Sequence, residues 1–515
     1  MMIQKKIEFP VKYFPAMVTG LILTLSFPRQ DLFYLAFFAL VPLLLSIPAM
    51  TLKQAFYSGF TAGLFHFFTL IYWIVPTIHV YGALNPVLAV STLTLLCFYL
   101  ALYPAVFVLI LKKTDPEPLF APIFAACLWT GLEYIRTYAF TGFPWGALGY
   151  SQYKNLLLIQ VADFSGVYGV SFIIVLVNYL LALTLKSLKK NHKKKLFVPF
   201  IYTIIIVSCA LFYGQKKIKA VDSQIKTAQK TTLTIVQGNI KQDLKWSDAF
   251  KTGTIEKYIN LSLTESAKKP DLVIWPETAL PFYYGSDRLL SNRVDQCARS
   301  FKTNFLFGSP AFESKGEKTL FYNRAYMLNR FSIVTGTYDK HHLVPFGEYV
   351  PLGGYLKFLG KITAQAGDFS AGDKKFIPLA FNGHKTGVLI CFEILFPSIA
   401  SEFVKNGADI LTTITNDAWF GDTSAAYQHF SIAVFRAVEN RRTVARAANT
   451  GISGFIDPKG KILAKTALFK DKALTMQVPA LKQTSFYTEY GDIFAISSIV
   501  AIGLAFMLKG IRKKV

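Results

Sequence analysis

The sequence predicts a membrane protein with about eight transmembrane helices and one extramembrane α/β domain. Hydrophobic residues make up 52% of the 515 residues and charged residues only 17%, with a mean hydropathy of +0.37. This composition is too apolar for a soluble enzyme and excludes a disordered chain. The apolar residues are concentrated in long stretches, whereas one long polar region alternates strand-like and helix-like patterns.

Eight apolar stretches reach or approach the roughly 17 to 25 residues that cross about 30 Å of hydrocarbon. They lie near residues 13–27, 31–48, 54–76, 86–111, 119–138, 166–185, 196–214 and 493–508. Pro28, Pro42 and Pro48 interrupt the first two, which therefore either span the bilayer or form a re-entrant pair. The expected domains are a transmembrane bundle of about seven helices at 1–214, a linker at 215–228, an α/β domain at 229–482, and a closing helix with a basic tail at 483–515.

The charge distribution predicts the orientation of the chain in the membrane. A formal charge of +24 would by itself favour a nucleic-acid partner. Most Lys and Arg residues that flank the apolar stretches fall on one side, chiefly at 186–195 and 509–514. Because positively charged short loops remain in the cytoplasm, we expect both termini to be cytoplasmic and residues 215–490 to be extracytoplasmic, in a periplasm if the cell is Gram-negative. No nucleic-acid partner is expected.

Cysteine and histidine usage exclude two further classes of site. Five Cys in 515 residues do not make a disulfide scaffold, and only Cys297 and Cys391 lie in polar sequence. The seven His lack the spacing of a zinc site, and no phosphate-binding or dinucleotide-binding motif follows a predicted strand. The sequence therefore predicts neither a metal nor a cofactor.

The α/β domain is predicted from short β-rich runs that end at polar residues and alternate with amphipathic stretches. The predicted strands are Leu233–Gln237, Asp271–Trp275, Asn304–Gly308, Arg324–Leu328, Gly387–Cys391, Ile410–Thr415 and Thr443–Ala447. The predicted helices are Asp248–Lys268, Asp287–Lys302, Ser398–Asn406 and Thr423–Asn440, the last with a cap signal at Asp422 and Thr423.

Three polar residues of different chemistry follow strand-like or turn-like runs of this domain. Glu277 follows Val-Ile-Trp-Pro, Lys340 follows a turn-like stretch, and Cys391 follows four apolar residues. Each has an ordinary alternative: the carboxylate caps a helix, the ammonium is solvated, or the thiol is a small buried hydrophobe. Together they form an acyl-transfer set of nucleophile, base and oxyanion-stabilising cation, because polar residues at strand ends of an α/β sheet face the ligand crevice.

The order Glu277, Lys340, Cys391 resembles the nitrilase (carbon–nitrogen hydrolase) superfamily, which implies an αββα sandwich. Longer motifs resemble its membrane branch, the apolipoprotein N-acyltransferase family. Those motifs are Val236–Ile240, Trp275–Glu277, Lys340–Pro351, Asn416–Gly421 and, in the membrane part, Phe143–Gln152. The resemblance implies that Glu277 is the general base, Lys340 the oxyanion-stabilising cation and Cys391 the nucleophile.

The resemblance also assigns supporting residues. Glu348 matches the supporting second glutamate of the family, and Glu393 and Trp246 match positions that the family needs for full activity. Phe392 departs from the Tyr that commonly follows the nucleophile, so a phenol hydroxyl is missing there. Three further aromatic residues are expected either to contact substrate or to pack in the core: Tyr349, Trp419 and Trp145. In the membrane part, Glu133, Arg136 and Asp163 are expected either to line a headgroup entrance or to pair with other groups.

The implied activity belongs to bacterial lipoprotein maturation in the cytoplasmic (inner) membrane. A phospholipid acyl chain would pass to Cys391 as a thioester, and then to the α-amine of the S-diacylglyceryl cysteine of an apolipoprotein, in ping-pong order. The Gly-rich segment from Pro345 to Phe369 is expected to act as a lid. Two alternatives remain open: a membrane-anchored amidase or nitrilase that releases the acyl group to water, and a transporter or lipid-binding scaffold with an inactive domain. The sequence carries no indication of the oligomeric state.

Overall fold

The chain forms two compact units in a computed structural model that describes residues 2–82, 84–190, 196–349 and 369–512. The membrane unit comprises Met1–Val75, Pro86–Lys217 and Tyr490–Val515, and the α/β unit comprises Pro76–Asn85 and Ile218–Glu489. The α/β unit therefore includes a short segment that lies between two helices of the membrane unit in sequence.

The helices and strands of the described residues are as follows. The helices are α1 (Met2–Leu25), α2 (Val41–Ser46), α3 (Leu52–Leu70), α4 (Ile74–Pro76), α5 (Pro86–Thr114), α6 (Ala121–Tyr138), α7 (Ala162–Lys190), α8 (Phe197–Thr227), α9 (Gln242–Lys245), α10 (Asp248–Leu263), α11 (Arg288–Phe301), α12 (Pro397–Lys405), α13 (Ser424–Asn440), α14 (Phe486–Tyr490) and α15 (Ile493–Arg512). The strands are β1 (Gln229–Gln237), β2 (Leu272–Ile274), β3 (Asn304–Lys315), β4 (Lys318–Leu328), β5 (Val334–Asp339), β6 (Leu379–Phe381), β7 (His384–Ile390), β8 (Ile410–Thr415), β9 (Thr443–Ala448), β10 (Gly454–Ile456), β11 (Ile462–Lys465) and β12 (Lys472–Ala480).

Fewer helices than predicted are long and apolar enough to cross a bilayer. Among the described helices, three pass by length and composition: Pro86–Thr114, Leu158–Leu188 and Phe197–Thr227. A fourth results if Leu52–Leu70 and Ile74–Tyr81 form one broken span. The other predicted stretches are shorter or interrupted apolar helices, including Lys12–Leu25, Phe33–Ala49 and Ile493–Lys509. The prediction is therefore confirmed in its coarser form, a chain with several long apolar helices.

Helices of the membrane unit approach one another closely at glycine. α3 lies against α5, and a Cβ atom added at Gly63 would meet the Ala101 Cα atom at 2.7 Å. A Cβ atom at Gly131 on α6 would meet the Ile499 side chain on α15 at 2.9 Å. Lipid gives apolar helices no hydrophobic reason to associate, so close van der Waals contact between them stabilises the bundle.

The three charged residues of this unit that were expected to pair or to line an entrance are buried. Asp163 pairs with Lys217 at 3.2 Å and accepts a hydrogen bond from the Tyr213 hydroxyl at 2.6 Å. Glu133 accepts hydrogen bonds from Trp129 Nε1 at 2.9 Å and from the Leu148 backbone N–H at 2.7 Å, and it lines one pocket together with Arg136.

The α/β unit contains two sheets, each with six strands among the described residues. The first has the order β12-β1-β2-β3-β4-β5 and the second β11-β10-β9-β8-β7-β6. The central pairs β1–β2, β2–β3, β7–β8 and β8–β9 are parallel, and antiparallel strands flank them on both sides. Parallel pairs point their carboxyl ends to the same edge, which is where Glu277 and Cys391 follow β2 and β7.

Helices cover the outer faces of the two sheets. α10 packs on β1 and α12 packs on β7, while β1 of the first sheet faces β9 of the second. This is the predicted αββα sandwich, and its buried strands read as continuous apolar runs because both faces of each sheet are covered. All seven predicted strands and all four predicted helices are present, with ends that differ by up to seven residues.

Two segments differ from their sequence-based description. Residues 215–227, expected to be a linker, are helical and continue α8 to Thr227. The stretch before Lys340, expected to be turn-like, is strand β5, which pairs with β4 in antiparallel register from Arg324↔Asp339 to Leu328↔Val334. β5 contains one Gly and two Thr, so its sequence shows no clear polar–apolar alternation. It resembles a turn because Gly is common in turns.

We expect the apolar core around Trp275 to stabilise the α/β unit strongly. Phe305 is fully buried and packs edge-on against the Trp275 ring at 5.6 Å. Phe305→Ala should therefore lower the free energy of unfolding by about 3–5 kcal/mol. The matched control is Phe331→Ala at a side chain that is 61% exposed, where the change should stay within about 0.5 kcal/mol. Denaturant unfolding of the full chain in micelles, followed by circular dichroism, measures both; equal losses would contradict the assignment of this core.

Candidate active site

Glu277 reaches the site directly after the buried strand β2. Only 6% of the residue is exposed. Its Oε1 atom accepts a hydrogen bond from Asn323 Nδ2 at 2.7 Å, and its Oε2 atom accepts one from the Asn416 backbone N–H at 2.8 Å. Asn416 follows β8 of the second sheet, so this carboxylate links the carboxyl ends of both sheets.

Lys340 is a fully buried ammonium between two carboxylates. Its Nζ atom lies 2.9 Å from Glu348 Oε1 and 3.6 Å from Glu277 Oε1. Asn323 Nδ2 also donates to Glu348 Oε1 at 3.0 Å, so one amide bridges the two carboxylates. Burial alone would lower the pKa of Lys340, but the Glu348 and Glu277 charges raise it above its ordinary value, which keeps the amine protonated.

Cys391 follows strand β7 and adopts an unusual backbone conformation. Its φ of +52° lies in the left-handed region, which costs a non-glycine residue about 1–3 kcal/mol. The residue is partly exposed. Burial of the thiol, followed by the Glu277 charge, raises its pKa, whereas Lys340 lowers it. The thiol therefore remains protonated at neutral pH and needs a base before it can attack.

A buried polar network lies behind Cys391. The Thr415 hydroxyl donates to Asp417 Oδ1 at 2.8 Å. His429 Nε2 donates to the Cys391 carbonyl oxygen at 3.2 Å, and Arg446 Nη2 donates to Asp417 Oδ2 at 2.8 Å. Burial opposes ionisation of Asp417, but Arg446 and His429 hold its pKa well below the usual value. This network fixes the backbone that carries the thiol.

Glu393 fastens the end of β5 to the end of β7. Its Oε1 atom accepts hydrogen bonds from the Tyr338 hydroxyl at 2.7 Å and from the His341 backbone N–H at 2.8 Å. Its Oε2 atom accepts one from the Ile390 backbone N–H at 2.8 Å. Burial raises the pKa of Glu393 to about 7, although these hydrogen bonds oppose the shift. The carboxylate thus holds the backbone that follows Lys340 and the backbone that precedes Cys391.

Lys245 is a second buried ammonium close to Glu277, and the sequence did not single it out. It ends α9, is 1% exposed, and donates to Thr278 Oγ1 at 2.9 Å and to the Glu277 carbonyl oxygen at 3.3 Å. Burial lowers its pKa to about 8, although the Glu277 and Cys391 charges raise it. The neighbouring Trp246 was the only signal in this stretch.

The aromatic residues expected to contact substrate lie in different surroundings. Phe392 is partly exposed and packs near His342 with the ring centroids 5.8 Å apart. Trp246 is 36% exposed, and Tyr349 is partly buried. Trp419 packs edge-on against Tyr81 of the same unit at 5.5 Å. Trp145 is buried in the membrane unit, where it packs against Trp73 at 4.7 Å.

Most of the segment expected to act as a lid lies outside the described residues, so the lid stays a prediction. Of the segment from Pro345 to Phe369, residues 350–368 lie outside the described part of the chain. At its two ends, Pro345 and Tyr349 form an isolated bridge, and the Phe369 backbone N–H donates to the Glu348 carbonyl oxygen at 3.1 Å. Among the described residues, no group of His, Cys, Asp and Glu is arranged to hold a metal ion.

The comparisons with known proteins agree across both units. Residues 19–180 match the apolipoprotein N-acyltransferase N-terminal domain, and residues 232–484 match the carbon-nitrogen hydrolase family. The apolipoprotein N-acyltransferase of Geobacter metallireducens is 40% identical over 506 residues, which cover 97% of this chain and 96% of the relative. The enzyme of the same name from Pasteurella multocida is 32% identical and covers 95% and 94%.

Two further similarities complete the comparison. The apolipoprotein N-acyltransferase of Haemophilus influenzae is 32% identical over 99% of this chain and 97% of its own. Among solved structures, a mutant of a Nesterenkonia amidase from the nitrilase superfamily is 16% identical over 53% of this chain and 98% of its own, with a TM-score of 0.40 that is too low to add to the argument. From the full-length relatives, we conclude that this chain belongs to the apolipoprotein N-acyltransferase family.

Proposed function

We propose that this protein transfers an acyl chain from a phospholipid to the N-terminal α-amine of the S-diacylglyceryl cysteine of apolipoproteins. The chain is an acyltransferase of lipoprotein maturation, as its full-length relatives are named. The observation that carries the mechanism is that the Glu277 and Lys340 side chains lie 3.6 Å apart and that both of their charges act on the pKa of the Cys391 thiol. A hydrolase of the amidase type is not favoured by the relatives.

In the first step, Glu277 takes the proton from the Cys391 thiol. The sulfur attacks the ester carbonyl carbon, and the carbonyl π electrons move to oxygen, where the Lys340 ammonium stabilises the negative charge. The tetrahedral intermediate collapses as the ester C–O bond breaks. The leaving lysophospholipid oxygen takes the proton from Glu277, and an acyl thioester remains on Cys391.

In the second step, the acceptor amine replaces the phospholipid. Glu277 takes a proton from the attacking nitrogen as the amide bond forms, and Lys340 again stabilises the oxyanion. The C–S bond then breaks, and the thiolate of Cys391 recovers the proton from Glu277. Conversion of a thioester to an amide is favourable, so the reaction needs no nucleotide.

The surrounding residues support this assignment of roles. Glu348 holds Lys340 charged and in place through a hydrogen bond of 2.9 Å. Glu393 holds the backbone next to Lys340, and Phe392 supplies an apolar ring but no hydroxyl beside the nucleophile. Trp246, Tyr349 and Trp419 are partly exposed or half-buried aromatic residues of the same unit, suited to contact acyl chains, and Trp145 would act only within the membrane unit.

The proposed setting is the bacterial cytoplasmic (inner) membrane, with about eight spans, both termini in the cytoplasm and the α/β domain at 229–482 in the periplasm. The support is the concentration of Lys and Arg near residues 186–195 and 509–514, together with apolar helices such as Phe197–Thr227. Attachment to the membrane suits this chemistry, because moving an acyl chain out of the bilayer costs about 0.8 kcal/mol for each CH₂ group.

We expect the acyl group to be trapped on Cys391. Incubation of the full-length enzyme with phospholipid that carries a labelled acyl chain should leave the label on the Cys391 peptide in mass spectrometry. Cys391→Ser should carry no thioester, whereas Cys209→Ser, at an exposed cysteine of the membrane unit, should label as the wild type does. Label that persists in Cys391→Ser would refute the assignment. Chase with a diacylated lipopeptide should yield the N-acylated peptide, and a free fatty acid would indicate a hydrolase instead.

Removal of the base should slow thioester formation by about 10²- to 10⁴-fold. Glu277→Gln keeps the shape of the side chain but cannot accept the thiol proton. Its matched control, Glu402→Gln, changes a surface carboxylate that pairs with Lys405 on α12, and should leave the rate unchanged. Rapid-quench measurement of the first acylation step compares the two. A rate of Glu277→Gln close to that of the control would exclude this carboxylate as the base.

The acylation rate should fall as the pH drops through about 7, because Glu393 then gains a proton and its ionised carboxylate no longer accepts all of its hydrogen bonds. Glu393→Gln should react more slowly and should lack the limb with a midpoint near 7, while its melting temperature reports whether the fold is retained. The measurement is the pH profile of thioester formation. If the same limb persists in Glu393→Gln, another group is responsible for it.

A further inference from the structure

Lys245 is a buried cation of the site to which neither the sequence motifs nor the mechanism gives a task. Only 1% of the residue is exposed. Within the described residues, no carboxylate oxygen lies within 4 Å of its Nζ atom, in contrast to Lys340. Its two hydrogen bonds go to the Glu277 carbonyl oxygen and the Thr278 hydroxyl. A buried ammonium without a close counter-ion is costly, so its retention calls for a reason.

The first part of that reason is the backbone turn that carries Glu277. Thr278 has a φ of +45°, which is unfavourable for a β-branched residue and persists only where neighbouring groups hold it. The Lys245 ammonium donates one hydrogen bond to the Glu277 carbonyl oxygen and one to the Thr278 hydroxyl, so it holds both residues of this turn. Behind the turn lies Gly308, where an added Cβ atom would meet the Glu277 Cα atom at 2.8 Å.

A second contact of the same helix reaches the other side of the carboxylate. Gln242 Oε1 on α9 accepts a hydrogen bond from Asn416 Nδ2 at 2.7 Å. The backbone N–H of Asn416 in turn donates to Glu277 Oε2. Two side chains of α9 thus act on Glu277 from two directions, one through its own backbone and one through its hydrogen-bond donor.

The second part of the reason is charge. Two carboxylates, Glu277 and Glu348, lie within 4 Å of the Lys340 ammonium, which can balance only one of them. When Glu277 takes the thiol proton, the negative charge passes to sulfur and then to the oxyanion, and the Lys245 charge acts on both Glu277 and Cys391. Of the other nearby titratable groups, Asp243 on α9 is exposed, and Asp248 on the adjoining α10 is exposed and paired with Lys251.

We propose that Lys245 is a positioning residue that fixes the Glu277–Thr278 turn and adds a second positive charge that stabilises the Cys391 thiolate. The proposal rests on the proposed role of Cys391 as nucleophile. It assigns the two lysines different tasks. Lys340 stays charged between its carboxylates, whereas Lys245 loses its proton near pH 8 and its effect on the thiol then ends.

The test is alkylation of Cys391 by iodoacetamide in the full-length protein in micelles, followed on the Cys391 peptide from about pH 7 to about pH 9.5. At about pH 7 the wild type should react roughly tenfold faster than Lys245→Met, since loss of the charge raises the thiol pKa by about one unit. This ratio should fall toward one as the pH passes 8, because Lys245 itself becomes neutral. The matched control Lys241→Met, at an exposed lysine one turn earlier, should follow the wild type throughout.

Two outcomes with the Lys245→Met variant would overturn the proposal. One is a folded Lys245→Met protein that reacts as fast as the wild type at about pH 7. The other is a rate ratio that stays constant with pH, which indicates a purely structural effect. Lys245→Arg, which keeps its charge, should preserve fast alkylation up to about pH 9.5, and a rate like that of Lys245→Met would also count against the proposal.

Because alkylation needs no phospholipid, it tests Lys245 independently of acyl transfer. Acyl transfer that survives in Cys391→Ser would refute the proposed function without deciding on Lys245.

Discussion

The catalytic unit depends on one constraint: the Lys340 ammonium is fully buried and must be balanced by carboxylates. A lone ammonium in such a place would lose its proton or disrupt the fold, because desolvation of an ion costs several kcal/mol. Glu348 and Glu277 supply the balance at 2.9 Å and 3.6 Å from Nζ. The need for both therefore draws the end of β2, the end of β5 and the segment that contains Glu348 to one point.

The second sheet is joined to this cluster through hydrogen bonds. Asn416 donates from the end of β8 to Glu277, and Glu393 binds the backbone on both sides of the gap between β5 and β7. Cys391 takes its place between them in a left-handed conformation that the His429 hydrogen bond to its carbonyl oxygen helps to hold.

Much of this arrangement follows from local sequence patterns. Buried strands such as β8 read as uninterrupted β-rich runs. The rule that ligands bind at the carboxyl ends of strands identified Glu277 and Cys391 as candidate site residues.

The weaker predictions have physical causes. β5 contains Gly336 and lacks the polar–apolar alternation of a typical strand. The outer strands β10 to β12 are short or polar, so their sequences do not stand out as β-rich runs. Lys245 could not be identified, because a lysine in a polar stretch is usually solvated and only tertiary packing buries it. Three or four of the described helices are long and apolar enough to cross a bilayer, and the count of about eight spans stays a prediction, since apolar content alone does not distinguish a full crossing from a short or broken helix.

Asn323 carries a consequence for the lifetime of the enzyme. Its amide nitrogen donates to both Glu277 and Glu348, an arrangement that only the amide form allows. Spontaneous deamidation would convert this donor into a third carboxylate beside Glu277, Glu348 and the Lys340 ammonium. Chemical ageing at this one position would therefore inactivate a molecule whose chain is otherwise intact, and the damage would escape any assay that measures only the amount of protein.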